Sequence, residues 1–144
     1  MPQTNQSSDI SKIWENEFVV LSEAKNKPIG IAKAKQEYIP IEEFKEAFLQ
    51  AKDYAKEKKW KQFVFDKSKL NVFHQPSMAW YYTEWKTDLV ELGLIEHFKI
   101  LPQEPWFKTS VDAGIIEIKE NHPDFDFNKF KVKYINSLSE VLET

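Results

Sequence analysis

The chain has no cysteine, only three glycines and no long apolar run. The absence of cysteine excludes disulfides, thiolate metal sites and cysteine catalysis. The glycines are far apart, which excludes the loops that hold phosphates in Walker and Rossmann motifs, and no serine-hydrolase elbow occurs. No apolar stretch approaches the ~20 residues that span a bilayer, and the polar start predicts no signal peptide. We therefore expect a cytoplasmic protein without a membrane span.

Charge and histidine content argue against two further kinds of site. The net charge is -3, and the lysines are interspersed with acidic residues, so the sequence predicts no clustered basic face for nucleic acid. His74, His97 and His122 are scattered and do not form a metal-binding spacing. The sequence therefore predicts no metal and no cofactor.

The length of 144 residues and the apolar fraction of 42% are typical of one soluble domain. Residues 1 to 12 are polar and are expected to be a disordered lead, and residues 13 to 144 are expected to be the domain. Two apolar or alternating runs, Glu17 to Leu21 and Ile29 to Lys35, predict an antiparallel hairpin in which Gly30 is a candidate bulge.

Helices alternate with short strands in the middle of the chain. Pro40 to Lys59 carries an apolar stripe at three- and four-residue spacing. Pro76 to Leu92 carries another, and Gly93 is a typical left-handed stop. Phe63 to Phe65 and Phe98 to Leu101 are short apolar runs that predict inner strands. This alternation indicates an α/β sheet whose carboxyl edge faces a crevice of loops.

The last third of the chain is less clear. Residues 104 to 120 fit a helix, because Thr109 and Asp112 resemble a capping box, but Ile116 to Lys119 also alternates like a strand. We favour the helix. Phe130, Val132 and Tyr134 alternate with lysines and predict an edge strand. Ser137 and Glu140 form a second capping box that predicts a short terminal helix.

Taken whole, this order of elements resembles the STAS or SpoIIAA-like family, whose members are small α/β domains related in fold to bacterial anti-sigma-factor antagonists. The resemblance covers the chain from about residue 16 onward. It implies a mixed central sheet with helices packed mainly against one face. The residues that carry it are Ile41-Glu42-Glu43-Phe44, Phe63-Val64-Phe65-Asp66, Trp80 to Trp85, Leu92-Gly93-Leu94 and Ser137 to Leu142.

One departure from that family concerns phosphorylation. The resemblance implies a phosphorylatable serine in an Asp-Ser-Ser-Gly-like stretch after the central strand. Here that stretch is Asp66-Lys67-Ser68-Lys69-Leu70-Asn71, and the next serine is Ser77. Ser68 and Ser77 are the candidate phosphoacceptors, but neither matches the motif. Ser77 also suits hydrogen bonding at a helix N-terminus. We therefore do not infer a phosphorylation switch from the resemblance.

Two polar residues are candidates for the rim of the crevice. Asp66 ends the central strand, where its carboxylate either faces a ligand or caps the turn that follows. His74 precedes the second helix, and acid–base chemistry by its ring requires a partner.

The aromatic residues are the strongest functional lead. Trp80, Tyr81, Tyr82 and Trp85 cannot all face one side of a helix. Tyr82 and Trp85 fit the core, so Trp80 or Tyr81 should flank it or be exposed. Trp106 adds a ring on the next crevice loop. These rings either pack in the core or form the wall of an apolar pocket or an interaction patch.

The sequence thus predicts a non-catalytic interaction or regulatory module that binds a protein partner or a second copy of itself. The expected contact residues are Trp80, Tyr81 and Trp106, with Asp66 and His74 at the rim. The alternative is a carrier of a small apolar, lipid-like ligand, which the resemblance also allows. An enzyme that uses Asp66 and His74 is a third reading, for which the sequence offers neither a nucleophile nor a cofactor motif.

Overall fold

The computed structural model describes residues 9 to 71, 74 to 102 and 104 to 143. In this part of the chain, six strands form one sheet in which the order in space is the order in the chain. The first three strands are antiparallel, and the third to the sixth run parallel. The strands are β1 (Ile10–Glu15), β2 (Val19–Ala24), β3 (Ile29–Ala34), β4 (Gln62–Asp66), β5 (Glu96–Ile100) and β6 (Lys131–Tyr134).

The N-terminal strands confirm the predicted hairpin and correct two other predictions. β2 and β3 form the hairpin, and their pairing is continuous through Gly30, so Gly30 is not a bulge. The irregular step lies in β1, between Lys12 and Trp14. Because β1 begins at Ile10, the predicted disordered lead is wrong for residues 10 to 12. Residues 1 to 8 lie outside the described residues.

The predicted helices are present, and the second one is interrupted. A π turn, Tyr81–Trp85, separates α2 from α3, and Gly93 ends the segment at a φ of 90°, as predicted. The helices are α1 (Ile41–Lys58), α2 (Gln75–Trp80), α3 (Lys86–Glu91), α4 (Pro105–Asn121) and α5 (Ser139–Leu142), and Phe127–Lys129 forms a 3-10 turn.

The helix favoured from the sequence for residues 104 to 120 is confirmed, with the bounds Pro105–Asn121. The helix α4 begins at Pro105, whose missing N–H costs nothing in the first turn. Thr109 and Asp112 therefore lie inside the helix, and the predicted capping box is wrong. Asp112 instead forms an exposed ion pair with Lys108, one turn earlier, at 3.1 Å.

The sheet separates two apolar clusters. The larger one joins strand residues such as Phe63 and Phe65 to the buried side chains of α1, the α2–α3 segment and α4. The smaller one joins Val64 and Ile100 to Val141 of α5. We call these sides the helix face and the α5 face. Because side chains alternate along a strand, His97 and Lys99 of β5 lie on the helix face.

None of the helices in the described ranges combines the length and the apolar character needed to cross a bilayer.

Candidate functional site

Asp66 takes the capping role that the sequence left open. Its Oδ1 accepts a hydrogen bond from the backbone N–H of Ser68 at 2.9 Å, which stabilises the turn after β4. Both residues also line a groove of about 440 Å³ on the α5 face, together with Ser22 and Asn136. The groove is an open depression over the smaller apolar cluster.

The His74 side chain contacts the first turn of the helix that it precedes. Its Nδ1 lies 3.1 Å from the hydroxyl oxygen of Ser77, and its ring meets the edge of Tyr38. Ser77 is fully buried, so its hydroxyl is not an accessible phosphoacceptor in this conformation. Asp66 and His74 thus bond to different neighbours, and the structure does not bring them together as an acid–base pair.

The predicted contact residues have three different environments. Trp80 is half-buried against Phe44 of α1, with the Lys45 amino group 5.6 Å from its ring centre. Tyr81 is only 1% exposed, which corrects the expectation that it contacts a partner. Trp106 is 47% exposed. Trp80 belongs to α2 and Trp106 to α4.

Three lysines that sequence reasoning did not single out lie in the protein interior. Lys67, Lys86 and Lys99 are each 0% exposed. Lys67 follows β4, Lys99 belongs to β5 beside Phe65 in the parallel register, and Lys86 is the first residue of α3, directly after the π turn. We call these three side chains the amine cluster. They converge on the rings of Tyr81 and Tyr82.

Lys86 contacts a buried histidine and aromatic faces. Its Nζ lies 3.1 Å from Nδ1 of His97, and Nε2 of His97 donates to the carbonyl of Leu94 at 3.0 Å. Since Nε2 carries the proton, Nδ1 accepts from the lysine. The same Nζ lies 4.5 Å from the centre of the Phe130 ring and 4.9 Å from that of Tyr81. This is a setting that can hold an ammonium group by cation–π attraction.

Lys99 and Lys67 adjoin one another. The amino group of Lys99 donates to the Tyr82 hydroxyl and lies 4.4 Å from the Tyr82 ring centre. It also lies within electrostatic reach of the Lys67 amino group, and repulsion between the two disfavours charge on both.

Burial explains the ionisation of the cluster. It lowers the pKa of Lys99 from 10.5 to about 7. Burial also holds the pKa of Lys67 and of Lys86 well below its usual range, and repulsion by Lys99 adds to the effect in both. The pKa of His97 falls to about 2 through burial and the nearby Lys86. Removing charge is the usual response of an amine that is withdrawn from water.

A surface cleft borders the amine cluster. Tyr134 of β6 is the register partner of Lys99, so the two side chains lie side by side on the helix face. Tyr134 is 43% exposed and lines a cleft of about 290 Å³ with Leu101, Pro102, Lys108, Ile135 and Asn136. Burial raises the pKa of Tyr82, and interactions with Tyr134 and Asp112 raise it further. The buried hydroxyl therefore lies within electrostatic reach of the cleft wall.

The outer edge of β6 is a second candidate site. The N–H of Lys131 donates to Ile95 and the N–H of Ile135 donates to Lys99, at 2.9 Å each. In a parallel ladder alternate residues point to opposite sides, so Val132 and Tyr134 direct their backbone N–H and C=O groups outward. All four side chains of β6 are exposed.

A scan for known protein families found no match to the chain, and a search of curated proteins found none. Within the described residues, no group of three or more histidine and acidic side chains could hold a metal ion.

One signal could have located the amine cluster. In Glu96–Ile100 the apolar residues Phe98 and Ile100 share one face by alternation, which leaves His97 and Lys99 on the other. Because inner strands of parallel sheets are covered on both faces, that second face had to be buried too. Lys99 was missed because Phe98 to Leu101 was taken as an apolar run.

Proposed function

We propose that the chain is a non-catalytic interaction module, similar to the SpoIIAA-like domains that it resembles, and that it works in the cytoplasm. It binds an extended segment of a protein partner along β6. The observation that supports this proposal is the outer edge of β6. There the backbone N–H and C=O groups of Val132 and Tyr134 point outward, in the direction in which a further strand would pair. An added strand gains hydrogen bonds from such groups and specificity from alternate side chains.

The two edges of the sheet differ in ways that favour β6. At the opposite edge, the pairing of β1 is irregular between Lys12 and Trp14, and such irregularities discourage the addition of strands. β6 pairs regularly with β5 along its length. It also carries two of the exposed large apolar side chains, Val132 and Tyr134.

The side chains of β6 specify the chemistry of the partner. Val132 and Tyr134 lie on the helix face, in register with His97 and Lys99, whereas Lys131 and Lys133 lie on the α5 face. A strand added here therefore places apolar residues beside Val132 and Tyr134 and acidic residues beside the lysines. Opposite charges across neighbouring strands are favourable, so the proposed partner segment alternates acidic with apolar residues.

The same geometry disfavours a second copy of this chain. An antiparallel pair of β6 strands centred on Val132 places Lys131 opposite Lys133 of the other copy. A pair centred on Lys133 places that residue opposite itself. Like charges directly opposite each other are destabilising, so a separate acidic segment is the better occupant.

The alternative of an apolar-ligand carrier has less support. The rings that would line such a cavity are in mutual contact: Tyr81 stacks on Trp85 at 5.3 Å between ring centres and meets Phe48 at 5.6 Å.

The proposal is tested with a synthetic peptide in which glutamate alternates with valine, compared with the same peptide in which lysine replaces glutamate. We expect the acidic peptide alone to bind, and to slow hydrogen exchange at the amides of Val132 and Tyr134. The matched variants are Val132→Pro and Val132→Thr. Proline removes the outward N–H at an edge position where the fold tolerates it, whereas threonine keeps the donor and suits a strand.

We expect Val132→Pro to abolish peptide binding and Val132→Thr to retain it. Two results would show that β6 is not the docking edge. One is that the peptide still binds to Val132→Pro, and the other is that the acidic and the lysine-containing peptide bind equally well. Sedimentation of the protein alone is expected to give a monomer. A dimer that Val132→Pro dissociates would instead identify a second copy as the occupant.

A further inference from the structure

Two members of the amine cluster, Lys86 and Lys99, form no ion pair with a carboxylate among the described residues. Their hydrogen bonds are with His97 and with Tyr82. Burying an ammonium group without a counter-charge is very costly. The burial of Lys86 and Lys99 is therefore a cost to the stability of the fold.

The position of the cluster is that of a ligand site. Lys67 follows the carboxyl end of β4, and Lys99 lies next to the last residue of β5. In sheets with parallel strands, ligands bind in the crevice at the carboxyl ends. The cleft described above opens at this edge, with Tyr134 beside Lys99. The π turn Tyr81–Trp85 carries rings that the amine cluster contacts, and such distortions are frequent at functional sites.

We propose that this cleft binds a small oxyanion, a molecule that carries a phosphate or a carboxylate group, with the amine cluster at its inner end. The anion enters between Lys108 and Tyr134 and is drawn toward the Tyr82 hydroxyl and the Lys99 amino group. The volume of about 290 Å³ lies at the lower limit of small-molecule sites, so the ligand is small. The proposal is independent of partner binding at β6.

Binding of the anion is coupled to proton uptake. An uncharged amine takes a proton from water and becomes an ammonium group, which then pairs with the bound oxyanion. The ligand thus supplies a counter-charge to Lys99, and affinity falls as the pH rises above the range in which Lys99 is protonated. The titratable groups at the amine cluster and along the cleft are Lys67, Tyr81, Tyr82, Lys86, His97, Lys108, Asp112 and Tyr134.

The first test measures the thermal midpoint of the intact protein while inorganic phosphate or succinate is added at constant ionic strength, with chloride as the reference. We expect saturable stabilisation by one of the two anions and none by chloride. Phosphate alone would assign a phosphorylated ligand, and succinate alone a carboxylate ligand. Calorimetry in two buffers of different ionisation enthalpy is expected to show net proton uptake on binding.

The variants are Lys99→Met and, as a matched control, Lys25→Met at an exposed position. Replacing a buried charged group by an apolar one of similar size is often stabilising, so Lys99→Met is expected to melt at a higher temperature than the parent. It is also expected to bind the anion at least tenfold more weakly. Lys25→Met is expected to change neither property, and Val132→Pro is expected to keep anion binding.

Three results would overturn the proposal: no saturable effect of either anion beyond that of chloride, unchanged affinity in Lys99→Met, or binding without proton uptake. If Lys99→Met does not fold, the measurement is made on the parent protein. Lysine side chains labelled with carbon-13 report the titration of Lys99 directly by NMR. Its midpoint must shift upward when the anion is added, and an unshifted midpoint contradicts the proposal.

Discussion

At the scale of single residues, Gly30 shows how closely β3 and a loop tryptophan approach each other. A Cβ atom at this position would lie 2.2 Å from ring carbons of Trp60, and that ring is itself only 3% exposed. The glycine is therefore required by close packing near the start of β3. Its role differs from that of Gly93, where a φ of 90° requires a residue without a side chain.

We expect Gly30→Ala to destabilise the protein by about 1–3 kcal/mol, the usual cost of overpacking a core. Denaturation with urea measures the loss. Shortening the ring in the double variant Gly30→Ala with Trp60→Leu should recover part of it, because the two positions are coupled.

Gly114→Ala is the matched control. Its Cβ would approach the sulfur of Met78 at 2.8 Å, but a methionine side chain adapts, and alanine favours the helix by about 1 kcal/mol. We expect a neutral or slightly stabilising effect. Equal losses in the two alanine variants would contradict this explanation.

Prediction from the sequence succeeded for residues whose role is local. Gly93 as a helix stop and Asp66 in the turn after β4 follow from short-range rules, although for Asp66 the sequence left a second role open. Prediction failed for Tyr81, because a regular helix of 3.6 residues per turn was assumed and the π turn changes the direction of the side chains. The burial of Lys99 follows from alternation in β5 only when both faces of that inner strand are taken to be covered, and this step was not made.

At the scale of secondary-structure elements, the short helix α5 depends on one carboxylate. Oε2 of Glu140 accepts hydrogen bonds from the backbone N–H groups of Asn136 at 2.6 Å and of Ser137 at 3.2 Å. One half of the predicted capping box is thus present, namely the hydrogen bonds from the acidic side chain back to the start of the helix. This contact positions Val141, which is 2% exposed against the α5 face.

Glu140→Ala is expected to cost about 1 kcal/mol, typical of a lost helix cap, and to speed amide exchange in residues 139 to 142 selectively. Glu140→Gln keeps an acceptor oxygen and should retain part of the protection. Glu143→Ala, at the exposed end of the same helix, should have no effect. Unchanged exchange in Glu140→Ala would mean that packing of Val141 alone holds the helix.

Secondary-structure elements with a clear apolar periodicity were predictable from the sequence. The strand β1 lacks such a periodicity and was therefore not predicted. Its apolar side chains are Ile10, Ile13 and Trp14, a spacing that breaks the two-residue alternation of a strand. The irregular step between Lys12 and Trp14 accounts for that break, because an extra residue moves the later side chains to the other face. The strand is recognisable only together with its partner β2.

For the whole molecule, the amine cluster shifts the pH of greatest stability. The pKa of Lys99 is about 7 in the folded protein and 10.5 as a free side chain. Between these values the unfolded chain binds a proton that the folded chain has released. Stability therefore rises with pH in this window, by about 1.4 kcal/mol per pH unit for one lysine. Lys67 and Lys86, whose pKa values are also lowered, add to the slope.

Two buried tyrosines and one buried histidine limit this pH window at its upper and lower ends. Above about pH 10, tyrosines ionise in the unfolded chain, whereas burial keeps the pKa values of Tyr81 and Tyr82 raised in the folded one, so stability falls again. Below pH 6.5, the unfolded His97 gains a proton, while its pKa of about 2 in the fold prevents this. Acid therefore destabilises the protein as well.

We expect the urea midpoint to increase from pH 6 to a maximum near pH 10, above the pH 5 to 8 that is typical of proteins. Lys99→Met should reduce the slope, and Lys25→Met should leave it unchanged. A midpoint that is flat or decreasing between pH 7 and 10 would show that the lysines remain charged inside the fold.

The identical order of strands in the sheet and in the chain has a consequence for synthesis. Each strand pairs with the one before it, so a chain leaving the ribosome can extend the sheet strand by strand, with nothing to insert later. β6 comes last, and Phe130 arrives with it over the Lys86 amino group. Until then water reaches the edge of β5, and Lys99 keeps its proton. The step that adds β6 therefore expels protons, and an acidic environment opposes this step.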